Sequence, residues 1–371
     1  MNTKILQVDR VSPDPSAIGE AARVIRTGGL VAFPTETVYG LGADAMKPQA
    51  VSRIFAVKGR PPDNPLIIHI SRLEELYRIG ESLDWRAEEL ARRFWPGPLT
   101  LVVKRSPILP DVTVAGLDTA AVRMPRHEVA LRLIEAAGTP IAAPSANKSG
   151  RPSPTSAEHV LADLGGEIEL ILDAGPTDIG VESTVLDISS ERAVILRPGG
   201  VSREEIEAVI GKVEVHPSAL GLLIHGELAP RSPGMKYRHY APEAKLIVVE
   251  GELGKVRSAV QALAECLMKR GLRVGVLGSD GHPYKADVLR DLGPRSNPSE
   301  AAKRLFRCFR EMDEEGVEVV VAEGWQDESG IGLALMNRLR KASGGAVLDA
   351  NWLLEELRDS PGRVYTEVIG T

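Results

Sequence analysis

The chain has 371 residues, 43% of them hydrophobic and 26% charged, with a formal net charge of -6. That length exceeds the size at which one hydrophobic core keeps growing, so two domains are expected. The acidic balance argues against a mainly electrostatic nucleic-acid binder, and no uncharged apolar run reaches the roughly 18 residues of a membrane span.

Two cysteines, Cys266 and Cys308, form no metal-ligand spacing and read as buried thiols. The opening MNTKILQVDR has no basic segment followed by an apolar signal run, so a cytoplasmic address is the expectation. Residues 17–26 place Ile18, Ala21, Ala22 and Ile25 on one helical face, with Asp14 or Ser16 as cap and Gly28 and Gly29 as stop. An apolar strand over 30–33 then delivers a hydroxyl- and glycine-rich loop. Pro48 suits the first turn of a helix that carries Val51, Ile54, Phe55 and Lys58 at helical spacing. A tight connection, Pro61 to Pro65, leads to a strand over 66–70 that carries His69.

Helical patterns over 73–77 and 86–94 precede strands over 99–103 and 119–123 and a helix over 127–137. A short strand over 140–143 ends in a polar turn with Ser145 and Asn147. Thr155 and Glu158 have capping-box spacing before a helix reaching Leu164, as do Ser202 and Glu205 before a later one. Strands are expected over 168–172, 185–188 and 194–196, the last ending at Arg197. The first domain is therefore of mixed α/β type and ends near Gly211.

Residues 212–243 read as a linker, rich in Pro and Gly and without sustained periodicity. Its middle, SPGMKYRHY at 232–240, is aromatic and cationic, which suits either a lid over a binding site or an exposed spacer. Beyond it, strands over 246–249, 273–277 and 317–322 alternate with helices over 256–268, 301–309 and 331–341, the pattern of a small α/β domain with a mainly parallel sheet. Asn337, Arg338 and Arg340 read as a solvated helix face, with an interaction patch as the alternative.

Walker, kinase, GxGxxG, HExxH and paired CxxC signatures are all absent. Cations and hydroxyls instead gather where regular elements end, an arrangement that suits a ligand with several anionic oxygens. Lys58 and Arg60 equally fit a solvated helix end, where cations favour the dipole. His69 reads as a structural histidine or, by its nearness to those cations, as a ligand group. Asp111, Asp118, Asp173 and Asp178 read as loop-end carboxylates rather than magnesium ligands. Ser145 and Ser183 lack a nucleophile-elbow setting, and Asn147 suits an Asx turn.

A set of ordered segments adds what spacing alone does not: FPTETVYGLG at 33–42, KGRPPDNPLIIHI at 58–70, FWPGPLT at 94–100, AVRMPRH at 121–127, APSANKSGRPSPT at 143–155, ESTVLD at 182–187, ILRPGG at 195–200 and SPGMKYRHYAP at 232–242. With Lys58-x-Arg60 and Ser145-x-Asn147, the chain resembles the Sua5/YrdC family in its longer Sua5 form. The resemblance implies an α/β fold: a YrdC-like twisted mixed sheet with an open cavity over 1–211, a linker or lid over 212–243, and a smaller Rossmann-like domain over 244–371. It implies a cytoplasmic nucleotidyltransferase that joins L-threonine, bicarbonate or CO2, and ATP into threonylcarbamoyl-AMP, which other proteins use to modify tRNA.

Carried over residue by residue, the resemblance assigns Lys58 and Arg60 to catalysis. Arg60, Asn64, Thr119, Ser145, Asn147, Ser153, Arg197 and the linker Tyr237 fall on the ATP side. Thr35, Thr37, His69, Arg123, Ala143 and Ser183 fall on the threonine side. Magnesium (Mg2+) arrives with ATP and no protein ligand is assigned; direct tRNA binding is left open. Two rivals are carbamoyl transfer of the hydrogenase-maturation kind and a plain RNA-binding module.

Overall fold

The structure, a computed structural model, describes residues 2–221, 239–326 and 329–369. Two compact units are present: 2–149 with 153–219, and 150–152 with 220–221 and 239–369. In the first, β1 (Lys4–Gln7) precedes α1 (Pro15–Arg26), which starts where Asp14 accepts the Ser16 N–H and buries Ile18, Ala21, Ala22 and Ile25. Then come β2 (Val31–Phe33), β3 (Gly40–Asp44), α2 (Pro48–Lys58), β4 (Ile67–His69), α3 (Leu76–Ile79), α4 (Trp85–Phe94), β5 (Leu99–Lys104) and β6 (Thr119–Arg123). The unit continues with α5 (Glu128–Ala137), β7 (Ile141–Ala142), α6 (Ala157–Leu164), β8 (Leu170–Asp173), β9 (Thr184–Asp187), β10 (Val194–Arg197), α7 (Arg203–Ile210) and β11 (Glu214–Val215).

Among the described residues these strands form one mixed sheet, ordered β1-β8-β2-β3-β7-β4-β6-β5-β9-β10-β11. The hairpin partner β3 reads GLGAD, whose glycines weaken any strand signal, so the expected glycine-rich loop is in fact a buried strand. Its Gly42 is required by packing: a Cβ there would meet Ile141 and Phe33 side chains at 2.8 Å. One correction concerns α6. Its N-cap is Ser156, without a side-chain cap bond, while Thr155 instead faces the His159 ring at 3.3 Å; the expected Thr155–Glu158 box does not form. The Ser202–Glu205 box does.

Helices α1 and α5 cover one face of the sheet around Phe33, Ile141 and Leu172, whereas α2, α4, α6 and α7 bury the larger core around Leu41, Ile54, Ile68, Leu101 and Leu186. The opposite face of β4, β6, β5, β9 and β10 is different. Its apolar cluster of Ile67, Val102, Ala121, Val185 and Leu196 includes no helical residue. In-register pairing puts His69 beside Arg123 and Lys104 beside Thr119, so the period of two that packs Ile68 and Val122 into the larger core turns His69, Thr119, Arg123 and Thr100 to this second face, where they too are buried.

The second unit contains β12 (Lys245–Glu250), α8 (Leu253–Met268), β13 (Val274–Gly278), β14 (Val288–Asp291), α9 (Pro298–Glu314), β15 (Val319–Glu323), α10 (Gly332–Ala342), β16 (Val347–Asp349), α11 (Ala350–Asp359) and α12 (Pro361–Ile369). Its five strands are all parallel in the order β14-β13-β15-β12-β16. The architecture is that of a Rossmann-like layered sheet with its own strand order, and α8, α11 and Val364 pack against alternate residues of β12, β13 and β15.

Asn337 and Arg338 are not a solvated face. Both are buried, and the Arg338 guanidinium lies 5.0 Å from the Tyr240 ring centre and bonds Asn337 Oδ1 at 2.8 Å. Arg340 forks onto Glu250 at 2.8 and 2.9 Å. Tyr240 and Glu250 lie 90 or more positions away in the chain, beyond the reach of helical periodicity. No described helix is long and apolar enough to cross a membrane.

Candidate active site

Helix α2 stops at Lys58 because Gly59 adopts the left-handed conformation, φ 60°. That stop places Lys58 inward, 3% exposed. Its ammonium donates to the carbonyl oxygens of Ser145, at 2.5 Å, and Asn147, and the Ser149 N–H returns to the Lys58 carbonyl at 2.9 Å. Burial, then the charge of Arg60, hold the Lys58 pKa well below its ordinary value. Lys58 therefore laces the helix end to the 145–149 turn instead of presenting an open cation to phosphate. Lys58→Met is expected to destabilise the protein by about 1–3 kcal/mol, since two buried carbonyls lose a charged donor. Urea unfolding checks it; an unchanged midpoint with lost activity would place the ammonium on substrate after all.

Arg60 donates from Nε to the Asn64 carbonyl at 3.2 Å and from Nη2 to that of Pro65 at 3.0 Å, which orders the proline-rich connection. The loop before β3 is zipped to the polar turn after β7: Leu41 N–H to Pro144 carbonyl at 2.8 Å, Ala146 N–H to Tyr39 carbonyl at 2.9 Å, and a bridge between Gly40 and Ser145. Ala143 gives its N–H to Ile67 at 2.9 Å, so β4 and this turn move together.

On that second face the Arg123 guanidinium, 4% exposed, donates from Nε to the Gly97 carbonyl at 3.2 Å and from Nη1 to Thr37 Oγ1 at 3.0 Å, and lies 2.7 Å from the Glu36 carboxylate. The hydroxyls beyond it have a fixed polarity. Thr35 Oγ1 donates to the Val38 carbonyl at 2.7 Å, so its 2.8 Å contact with Thr37 must be accepted by Thr35 and donated by Thr37. With its proton spent and one lone pair on Arg123, the Thr37 hydroxyl can only accept from a further group.

Ser183 Oγ lies 2.8 Å from Thr100 Oγ1, and Arg197 donates to the Ser183 carbonyl at 3.0 Å and to its Oγ at 3.2 Å. Ser153 bonds the buried Glu182 carboxylate one residue away in the chain from Ser183. Asn64 and Thr119 are buried where β4 and β6 begin, at the other end of these strands from His69, Arg123 and Ser183. A groove of about 1000 Å³ lies elsewhere on this unit, walled by residues 81–87 and 188–193 with Lys212 and Glu214; it holds none of these groups, and Arg86 and Arg192 in its wall pair with Asp84 and Glu214.

Sequence comparison decides the family. A family model described as "Telomere recombination", for Sua5, YciO and YrdC, matches residues 23–199, and one described as "Threonylcarbamoyl-AMP synthase, C-terminal domain" matches 201–344. A threonylcarbamoyl-AMP synthase of Pyrococcus abyssi is 55% identical over 328 residues, 88% of this chain and 94% of the relative. The chain belongs to the Sua5/YrdC family. A Bacillus subtilis threonylcarbamoyl-AMP synthase is 48% identical over 344 residues, 92% of this chain and 96% of its own. The crystal structure of P. abyssi Sua5 complexed with L-threonine superposes with a TM-score of 0.89 at 53% identity, covering 94% of this chain and 99% of that one.

Within this Sua5-family site the sequence reading missed Glu36, Thr100, Glu182 and Gly199. Glu36 and Glu182 sit inside the quoted segments, yet a lone carboxylate in a loop reads as surface until its burial is known. Tyr237 lies outside the described residues. Among the described residues no group of three or more His, Cys, Asp or Glu side chains could hold a metal ion.

His69 is 3% exposed, and its Nδ1 has no hydrogen-bond partner. Burial first, then the Arg123 charge, hold its pKa down to about 3, against 6.5 for a free histidine. It is therefore neutral at physiological pH. Because the unfolded chain takes up a proton below pH 6.5 that the folded one refuses down to about 3, stability from this group is complete above pH 6.5 and falls with acidification. The limiting slope is about 1.4 kcal/mol per pH unit. His69→Asn is expected to flatten that part of the profile in urea titrations between pH 4 and pH 7; parallel profiles would show a histidine that protonates in place.

Proposed function

We propose that this Sua5-family chain is an L-threonylcarbamoyladenylate synthase. It joins L-threonine, bicarbonate or CO2, and ATP into threonylcarbamoyl-AMP with release of pyrophosphate, for N6-threonylcarbamoyladenosine in tRNA. The observation that carries this is the neighbourhood of Arg123: a nearly buried guanidinium in register with neutral His69, on a sheet face whose apolar cluster includes no described helical residue. A bidentate fork suits an amino-acid carboxylate, and a neutral imidazole adds polarity without charge. Thr35, Thr37, His69, Arg123, Ala143 and Ser183 form the threonine side. Arg60, Asn64, Thr119, Ser145, Asn147, Ser153 and Arg197 form the nucleotide side, with Lys58 holding the Ser145–Asn147 turn in place.

The threonine amine adds to CO2 and loses a proton, giving a carbamate; a carbamate oxygen then attacks the α-phosphorus of ATP, and the bond to pyrophosphate breaks. No covalent intermediate on the protein is required. The work of the chain is to bring two anions together and offset charge on phosphoryl oxygens. The buried carboxylates Glu36 and Glu182 are engaged by Arg123 and Ser153, so the donor set fits a magnesium ion carried by the nucleotide's phosphates, which supplies charge neutralisation there. The catalytic domain runs past the expected boundary at 211, because β11 (Glu214–Val215) pairs with β10 in its sheet; the rest of the 212–243 segment, most of it outside the described residues, serves as lid, and the product passes to proteins that transfer the threonylcarbamoyl group to tRNA.

The test is an incubation of the full chain with ATP, L-threonine and bicarbonate, each omitted in turn, followed for pyrophosphate and a new adenylate. Product only in the complete mixture is expected. No product, together with tight salt-sensitive tRNA binding, would replace this reading with an RNA-binding one.

A further inference from the structure

We propose that Glu36 is the positioning residue for threonine recognition, a buried counter-charge that offsets the burial of the Arg123 guanidinium and sets its place in the site while leaving most of its hydrogen-bond donors uncommitted. The inference rests on the reading of Arg123 as the carboxylate-binding group. A guanidinium has five N–H donors. Here one goes to Gly97 and one to Thr37, and the Glu36 carboxylate lies only 2.7 Å from Nη2. That contact is off the N–H axis: neither Glu36 oxygen nor Arg123 Nη2 has a partner in hydrogen-bonding geometry. Three N–H groups, both on the buried Nη2 and one on Nη1, therefore have no aligned acceptor within the protein.

Arg86–Asp84 and Arg340–Glu250 show aligned N–H donors to carboxylate oxygens, whereas Arg105–Asp111, at 2.7 Å, does not; what sets Glu36–Arg123 apart from that exposed pair is that both its side chains are buried. Glu36 is also anchored independently of Arg123. Its carbonyl accepts the Ile179 N–H at 2.9 Å, and the next carbonyl, of Thr37, accepts that of Gly180 at 3.1 Å, where Gly180 takes a left-handed φ of 80°. The carboxylate is therefore a fixed point against which the longer arginine side chain is set. A fully buried carboxylate, 0% exposed, costs the fold a desolvation that its attraction to Arg123 offsets.

Full-length Glu36→Gln, which keeps the shape and removes the charge, is expected to raise the KM for threonine by about tenfold or more, the scale of one charged hydrogen bond, with the KM for ATP and kcat at saturating threonine nearly unchanged. Glu36→Asp, which restores the charge on a shorter arm, is expected to recover part of the loss, and serves as the variant if Glu36→Gln does not unfold cooperatively. Because Glu36 acts through Arg123, the Arg123→Lys/Glu36→Gln pair should have nearly the threonine KM of Arg123→Lys alone. Unchanged threonine KM in Glu36→Gln, an equal rise for ATP, a loss confined to kcat, or additive effects in the pair would each overturn the proposal. In those cases the wild type still turns over threonine; if it does not, the synthase reading itself fails instead.

Discussion

Arg123→Ala is expected to weaken threonine binding by at least about 100-fold, because two charged hydrogen bonds, each about 1.5–3 kcal/mol, lose their donor. The same change leaves Glu36 buried beside no cation, so a stability loss of about 3–5 kcal/mol accompanies it. Arg123→Lys separates the two effects: it keeps the charge near Glu36 and loses the fork, so stability should be largely restored while threonine affinity is not. Calorimetric titration with threonine, in parallel with ATP titration and urea unfolding, reads all three quantities. Wild-type threonine affinity in Arg123→Ala would remove this side chain from the site.

Gly199→Ala is expected to be as severe by a wholly different route. A Cβ at this position would overlap the Thr184 nitrogen, the Glu182 carbonyl oxygen and the Ser183 carbonyl carbon, all backbone atoms that no rotamer change can move aside. Thr184 N–H is itself bonded to Pro98 at 3.0 Å, and Pro98 follows Gly97, whose carbonyl holds Arg123. Displacing the 182–184 segment therefore disturbs Ser183, Arg197 and Arg123 together. A loss above about 4 kcal/mol is expected, the range reserved for backbone and core disruption, with weaker binding of both threonine and ATP. Gly19→Ala in α1 is the matched control, with open space around the new methyl and a helical position that favours alanine by about 1 kcal/mol. Equal midpoints for the two variants would refute the close approach.

Several elements were legible because their signals are local. The start of α1 at Asp14, the end of α2 at Gly59 and the capping box of α7 each depend on residues within four positions of one another. Strand β3 was not legible: its GLGAD segment lacks the β-branched residues that mark strands, and what makes it a strand is Phe33 on one side and Ile141 on the other. Strand β14 stayed hidden for a related reason, its edge position leaving only Val288 buried. The polar positions in α10 were misread as surface, because charge in a helical pattern signals solvent until tertiary partners such as Tyr240 and Glu250 are known.

By itself the sequence determined which chemical groups are available and where the chain turns: hydroxyls at 35 and 37, cations at 58 and 60, an arginine closing β6 and a serine opening β9. Only the tertiary structure decided what each group faces. Lys58 finds carbonyls 87 and 89 residues away, Arg123 finds Thr37 across 86 residues, and Glu36 becomes a counter-charge instead of a surface carboxylate. The reason is physical: local spacing fixes the side of an element on which a residue sits, whereas its partner is fixed by strand order, and strand order in a mixed sheet is set by long-range packing that no window of sequence contains.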